Sequence, residues 1–564
     1  MKQSPPDHLA GLPAQRRFDE REKALLAPYV TSTDGPVFVL TNLPEVIKGA
    51  LFSRYSRSAL GLRELLLKEF IDDPESAFKE IAGSPEETAS GAQGAAATAA
   101  DRYLAVEKAQ GFYDRILDGY GDDSIGELGG AHLALEDVSM IATKVLEDAR
   151  IGGSPLEKST RYVSFAEPRQ GEFLFYKEPT LLASPHRQRY LDTCRRLFET
   201  YRDLQEPLIN FITGEVPRPE NISEGAWKRS VRARALDALR GLLPAATLTN
   251  MGIFANGRFF ETLLAGLRRQ ALSELQAIGG AARNELHKVI PSFIRRADPE
   301  HPHFDGFTGY ENRLREHVAS LAGRLAASGG EPPGAAERRE VELIWHDPDA
   351  GRKVLAALAY PDHSGPLGLL QDSLLRMAPD ERQEVFSKLG QARTNRRHKP
   401  PRAFELAFFS FDLLGDFGMY RDMHRHRMLT QQRQMLSTRH GFVTPEELPL
   451  AGLEGPYREV MEQAAETYEA IAADFPLQAQ YVVPMAYRIR WHMHINLRAL
   501  IWLVELRSSP QGHPAYRKMA QQMYHRVAEA LPEFAPLFGF VDLEDYPLGR
   551  LGAEQRSEDK RSGK

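Results

Sequence analysis

The stretch Tyr420-Arg-Asp-Met-His-Arg-His-Arg-Met-Leu-Thr-Gln-Gln-Arg-Gln-Met-Leu-Ser-Thr-Arg-His440 decides how the chain is read. From Arg421 to His440 it carries five arginines, three histidines and one aspartate, inside a chain of 564 residues whose formal charge is −6. That density suits phosphate or another polyanion, because a guanidinium keeps its charge and bonds two oxygens at once. Ser437 and Arg439 are two apart, so in an extended segment they share a side and can clamp one phosphate. The competing reading is a solvated basic helix face laced with ion pairs.

The rest of the composition narrows the classes. With 42% hydrophobic and 26% charged residues the chain reads as an ordinary globular protein, and its acidic balance argues against wrapping nucleic acid. A polyphosphate- or nucleic-acid-binding module built on 421–440 stays as a distant alternative, marked by a steep salt dependence. No apolar run reaches the roughly 18–20 residues that span a bilayer, so no membrane role is expected. Met1-Lys-Gln-Ser-Pro-Pro-Asp-His has no apolar core or small-residue cleavage site, which predicts a cytoplasmic protein. The single cysteine, Cys194, agrees with a reducing compartment and reads as a packed, inert thiol in an amphipathic helix.

Internal repetition organises the sequence. Glu127-Leu128 and Ser159-Thr160-Arg161 recur as Glu405-Leu406 and Ser437-Thr438-Arg439, both displaced by 278 residues. Pro244, Asn256 and Arg258 recur as Pro484, Asn496 and Arg498, displaced by 240. A strand-like run Val37-Phe-Val-Leu-Thr has its counterpart in Val341-Glu-Leu-Ile-Trp. The common order of these matches predicts a tandem duplication. The expected organisation is a tail at 1–35, a first repeat at 36–325 with a low-complexity insertion at 82–100, a linker at 326–338, a second repeat at 339–550 and a solvated, disordered tail at 551–564. Three- and four-residue spacing predicts helices over Ala131–Arg150, His186–Gly214, Val460–Asp474 and Asn496–Leu506, with a short strand at Glu172–Tyr176.

Several residues invite chemistry. Glu157 stands two before Ser159 and four before Arg161, which reads equally as an acceptor beside a phosphate-binding arginine or as an exposed i,i+4 pair. The positions matching Arg425, His426 and Arg427 in the first half are Glu147, Asp148 and Ala149. Arg507 lies eleven positions after Asn496, about three helical turns, so the two would project from nearly one face; dipole complementarity alone would also place an arginine there. His424/His426 and His492/His494 read as helical, where i,i+2 rings diverge, and no metal site is expected. Neither a Gly-x-x-x-x-Gly-Lys-Ser/Thr loop nor a Gly-x-Gly-x-x-Gly turn supports a nucleotide-triphosphate or Rossmann site.

Taken together, these motifs resemble the flavin-dependent thymidylate synthases. Arg425-His426-Arg427 resembles the opening of their signature and Ser437-Thr438-Arg439 its close, with Thr430 where an intermediate serine is usual and two extra residues before Ser437. The first half has the same two-residue excess before Ser159. Phe404-Glu405 and His398 resemble upstream family positions, and Asn496, Arg498, Arg507 and Arg517 the C-terminal ones; Glu157-Lys-Ser-Thr-Arg-Tyr162 resembles the segment that binds deoxyuridylate, and Asn256 with Arg258 the flavin-side pair.

The resemblance implies an α+β fold in two tandem copies, helix-rich with a small, mostly antiparallel sheet in each. It implies FAD-dependent methylation of dUMP to dTMP, with methylenetetrahydrofolate as carbon donor and NADPH as reductant. FAD would be held by Arg425, His426, Arg427, Asn496 and Arg498, and dUMP by Glu157, Ser159, Arg161, Ser437 and Arg439. Arg507 would be catalytic, polarising the uracil carbonyl. Complementary loss between the halves would draw flavin contacts mainly from the second and nucleotide contacts partly from the first, and a homodimer would form a pseudo-tetramer. The alternative within the same fold is a non-catalytic flavin- or nucleotide-binding paralogue.

Overall fold

A computed structural model of the chain describes residues 18–43, 45–55, 58–71, 126–149, 151–328 and 339–561. The insertion expected at 82–100 and nearly all of the expected linker lie outside them.

Two small antiparallel sheets are built around strands whose burial alternates with period two. In β7 (Arg488–Asn496), Ile489, Trp491, Met493 and Ile495 are buried while Arg488, Arg490, His492, His494 and Asn496 take the other face. β5 (Phe408–Asp416) pairs with β7 along its length, β4 (Val341–His346) covers its other edge and β6 (Thr430–Arg433) the far edge of β7, giving the order β4-β5-β7-β6. β1 (Gly130–Ser139), β2 (Gly153–Glu157) and β3 (Leu248–Asn256) follow the order β1-β3-β2, which is β5-β7-β6 over again. In both copies the first strand ends on a capping side chain that starts a helix. Ser139 Oγ accepts from Ala142 N–H (3.0 Å) before helix Met140–Asp148, and Asp416 Oδ1 from Met419 N–H (2.8 Å) before helix Phe417–Met423. The last strand does the same. Asn256 accepts from Phe259 N–H and Asn496 from Ala499 N–H, both at 2.9 Å, opening helices Gly257–Arg268 and Leu497–Arg507.

The repetition reaches single atoms. Arg258 Nη1 meets Glu127 Oε1 at 2.9 Å and Arg498 Nη1 meets Glu405 Oε1 at 2.6 Å. Pro244 faces Pro484 in an antiparallel bridge. Around it Ala245 N–H donates to Val483 O (2.8 Å) and Ala246 N–H to Tyr481 O (2.9 Å), while Met485 N–H donates to Leu243 O (3.0 Å) and Ala486 N–H to Gly241 O (2.9 Å). A shift of 240 residues turns one pair of bonds into the other, so the two copies meet as an isologous pair within one chain. Helices Arg187–Asp203 and Glu454–Ala472 pack across the same axis, with Thr193 and Thr467 hydroxyls 2.8 Å apart.

The chain forms two compact units that do not follow the sequence halves. Of the described residues, one takes those within 18–134, 149–156 and 252–328; the other joins 135–148 and 157–251 to 339–561. The first is held by helices such as Gly257–Arg268, Ser273–His287 and Pro302–Ser328, tied by the bidentate Arg269–Glu311 pair (2.7 Å). The second contains the interlocked prolines and the β4-β5-β7-β6 sheet.

Several sequence expectations are corrected. Ala131–Ser139 is strand rather than helix, as Ala131, Leu133 and Leu135 alternate inward, and the helix begins only at Met140. His492 and His494 are likewise on a strand. Val37–Thr41 is no strand; Val37 and Val39 are exposed, and the run wraps Arg63, whose guanidinium lies over Phe38 (4.4 Å). Glu172–Tyr176 makes only isolated bridges, Arg169 with Glu172 and Phe175 with Thr247. The expected N-terminal tail contains helix Glu20–Leu26 with an Asp19–Glu22 capping box, and helix Pro302–Ser328 runs into the expected linker. The expected disordered tail is helix Leu551–Arg561, where Arg229 holds Glu554 (2.8 Å) and Glu558 (2.7 Å). The helices expected over His186–Gly214, Val460–Asp474 and Asn496–Leu506 are present.

Candidate functional site

In the second unit a cavity of about 130 Å³ is lined by Lys158, Ser159, Thr160, Arg161, Tyr162 and Arg240 from the first half and Arg421, Asp422, Arg425, Arg507 and Tyr516 from the second. Local structure delivers each group. Lys158 N–H donates to Asn250 O (2.9 Å), pinning the chain as it leaves β2, and Ser159 O receives Val163 N–H (3.2 Å), turning Ser159-Thr160-Arg161 back. Arg240 follows the last residue of helix Glu224–Leu239 and Arg507 ends Leu497–Arg507, places the helix dipole favours for cations. Arg421 and Asp422 sit on the fully buried helix Phe417–Met423, and Arg425 follows in the next turn.

Charge pairing around this cavity is incomplete. Six cations line it, and three have carboxylates. Arg161 Nε and Nη2 grip Asp237 (2.9 and 3.0 Å), Arg240 Nη1 reaches Asp422 (3.2 Å), and Arg421 Nη2 bonds Glu157. Among the described residues Lys158, Arg425 and Arg507 have no ion-pair partner. Two buried donors are also unmatched, Arg240 Nη2 and Arg421 Nε. Burial alone would raise the Asp422 carboxyl, but Arg240, Arg161, Arg425 and Arg507 together hold it well below the usual range, so it stays ionised. The cavity therefore carries a surplus of about three positive charges, which suits a phosphate dianion.

Arg507 is oriented by the signature histidine. Its Nε donates to His426 Nε2 (3.0 Å), and its guanidinium lies 5.4 Å from the Tyr516 ring. Burial, and then the Arg507 charge, push His426 well below its ordinary value, so the ring is neutral and accepts on Nε2. Tyr516 OH in turn accepts from Arg161 Nη1 (2.8 Å).

The other expected site residues lie elsewhere. Glu157 is sealed behind the cavity, bonded by Arg421 and by Thr143 Oγ1 (3.1 Å), with Lys144 Nζ at 3.2 Å. Lys144 also pairs with Glu147, and His424 sits between Glu147 (3.3 Å) and Asp148 (2.6 Å). Arg439 is exposed and paired with Glu469 (3.3 Å); neither it nor Ser437 lines the cavity. Arg427 is exposed in the loop before β6. Asn496 and Arg498 are at the opposite end of the eleven-residue helix from Arg507, roughly 16 Å away at 1.5 Å per residue. Their polar atoms serve the helix start, Glu405, and Pro400 O (2.8 Å). Of the five residues expected to hold FAD, only Arg425 lines the cavity, whose 130 Å³ is small beside the roughly 300–1,000 Å³ that encloses a whole small ligand. The cavity itself has room for a phosphate rather than for a flavin dinucleotide.

Sequence reasoning missed Arg240, Asp237 and Tyr516. Arg240 corresponds at the 240-residue offset to Gln480, so a search for identities passes over it. Cys194 is buried, and burial raises its thiol far above the ordinary range, as expected of an inert residue. No helix among the described residues is long and apolar enough to cross a membrane, and no group of three or more His, Cys, Asp or Glu there could hold a metal ion.

Comparison with known proteins gives this arrangement a class. The chain belongs to the thymidylate synthase complementing protein family, whose model matches it twice, over 73–292 and 342–533, one segment in each copy. Its relatives include a UPF0159 protein of Chlamydia muridarum, 46% identical over 96% of this chain and 98% of that protein, and a UPF0159 protein of Chlamydia pneumoniae, 46% identical over 96% and 99%. A third, UPF0159 protein Ta1429 of Thermoplasma acidophilum, is 33% identical over 81% of this chain and 94% of that protein. Solved structures that match include a UMP/dUMP methylase of Streptomyces cacaoi bound with 5-Br dUMP (20% identity, TM-score 0.29, 36% of this chain and 96% of that one). Another is a flavin-dependent thymidylate synthase of Helicobacter pylori complexed with FAD and dUMP (16%, 0.28, 36% and 100%). Likeness at these TM-scores carries no weight for this chain's chemistry.

Proposed function

We propose that the cavity between Ser159-Thr160-Arg161 and Arg425/Arg507 binds the phosphate of dUMP. The observation that carries this is the three unmatched cations around a cavity whose other charges are paired. In this reading Lys158 and Arg425 meet the phosphate oxygens directly, Ser159 adds a hydroxyl donor, and Arg161 shapes the wall. Arg507, held by neutral His426, presents its remaining N–H groups to a carbonyl or phosphoryl oxygen.

The reaction that family membership favours is methylation of dUMP to dTMP in the cytoplasm, with methylenetetrahydrofolate as carbon donor, FAD as cofactor and NADPH as reductant. A homodimer is the assembly that would surround Asn496 and Arg498 with further groups. A second reading, a nucleotide-binding paralogue without turnover, is favoured by the dispersal of the expected flavin residues and the sequestration of Glu157. The visible spectrum of the purified protein, before and after dUMP, separates them. A flavin band that shifts on adding dUMP supports the synthase. Tight dUMP binding by a protein that takes up no FAD supports the paralogue, and absence of dUMP binding rejects both.

A further inference from the structure

Arg550 stands just before the C-terminal helix and is buried. Its Nη1 donates to the backbone oxygen of Arg161 (3.0 Å), its Nη2 to Asp237 Oδ2 (2.6 Å), and its guanidinium lies 4.6 Å from the Tyr162 ring. One side chain thus grips the cavity wall at three places: the Arg161 backbone, the carboxylate that holds the Arg161 guanidinium, and the neighbouring ring. Asp237 is thus held from two sides, by Arg161 and by Arg550. Burial would raise its carboxyl, and Arg161, His513 and Arg550 together hold it well below the ordinary range.

The segment carrying Arg550 is docked by its own contacts. Gly549 lies so close to the Pro510 carbonyl that a Cβ there would collide with it. Arg234 Nη1 donates to Pro547 O (2.6 Å), Ser223 N–H donates to Gln555 Oε1 (2.8 Å), and Arg229 binds Glu554 and Glu558. Pro510 lies in the loop after Arg507 whose Gln511 oxygen also accepts from Arg161 Nη2 (3.2 Å). Arg229 and Arg234 belong to the helix that carries Asp237 and Ser223 caps it, while Pro510 lies in the loop that also bonds Arg161.

We infer that Arg550 is a positioning residue and that residues 547–561 are a strap fixing Lys158–Tyr162 in the shape that receives the nucleotide phosphate. This rests on the cavity being the nucleotide site, and its structural half can be read without ligand. Amide hydrogen exchange across 158–163 in the full chain, without ligand, should accelerate in Arg550→Ala, in Arg229→Ala, which loosens the strap from its outer side, and only partly in Arg550→Lys, which keeps the charge but loses the fork. With dUMP as probe, the dissociation constant should rise about three- to tenfold in Arg550→Ala, with partial recovery in Arg550→Lys.

Unchanged exchange across 158–163 in the arginine variants overturns the strap, and so does unchanged dUMP affinity in Arg550→Ala when the parent chain binds. Should Arg550→Ala fail to fold, Arg229→Ala carries the same test. Faster exchange in the variants of a parent chain that binds no dUMP upholds the strap while rejecting the nucleotide reading.

Discussion

Ser159-Thr160-Arg161 and Ser437-Thr438-Arg439 are the same tripeptide at equivalent positions of two copies, yet their surroundings are opposite. The first is gathered into a cavity with Arg240, Arg421, Arg425 and Arg507. The second leaves Arg439 in solvent with Glu469, and its chain positions opposite the signature are Glu147 and Asp148, which hold His424. The motif is the same, but the first tripeptide meets cations of the other copy, whereas Arg439 pairs with Glu469 of its own. Duplication lets one copy keep the cationic signature and the other keep the receiving loop, while the acidic replacements become part of a buried ion cluster.

That comparison breaks or sharpens at four places. The largest effect should come from the cluster. Lys144→Met leaves Glu147 and Glu157 buried with one cation fewer and should cost about 3–5 kcal/mol in denaturant unfolding; a loss under about 1 kcal/mol would mean the cluster does not hold the acidic copy together. Next is Arg425→Ala, which should weaken dUMP binding by roughly 1.5–3 kcal/mol, about ten- to a hundredfold, by titration calorimetry.

A pH effect follows. His426 lies well below 6.5, and His513 is lowered to about 3 by burial and then by the charge on Arg240, with Asp237 opposing. Both are neutral when folded and take up protons on unfolding below about pH 6.5, so stability falls as pH drops from there, by about 1.4 kcal/mol per pH unit for each. His513→Gln should flatten the slope of stability against pH between 6 and 5, and an unaltered slope would show that this histidine is already charged. The smallest effect belongs to Arg439→Ala, whose exposed pair should contribute at most about 0.5 kcal/mol to stability; dUMP affinity should be unmoved.

The duplication was legible because identical residues recur at fixed offsets, and the two strand-helix units at the end of each copy coincide with them. The strands were less legible. Arg488–Asn496 contains Arg-x-Arg and then His-x-His, an alternation that suits period two, yet it runs directly into the helical pattern Leu-Arg-Ala-Leu, which blurs the boundary. Asn496 and Arg498 read as ligand groups because Asn-x-Arg recurs; the structure gives the same recurrence a local cause, since an asparagine that caps a helix and an arginine paired to an upstream glutamate are needed in both copies. Arg240 could not be found that way, because it matters through a contact with Asp422 of the other copy, and Asp237 because it matters through Arg161, 76 residues away in its own copy; neither leaves a mark in spacing. The missing Arg-His-Arg of the first half and the missing glutamate before Ser437 are visible in the sequence, and the cavity draws its lining from both halves. The burial of Glu157 is not legible, because it depends on Lys144 and Arg421 arriving from two other elements.

The central claim is one nucleotide site per tandem chain, built from both copies. Titration of the full chain with dUMP tests it most directly. The account predicts a stoichiometry of one per chain, with affinity lost in Arg425→Ala and kept in Arg439→Ala; two equivalent sites per chain, or binding that depends on Arg439 and ignores Arg425, would contradict it.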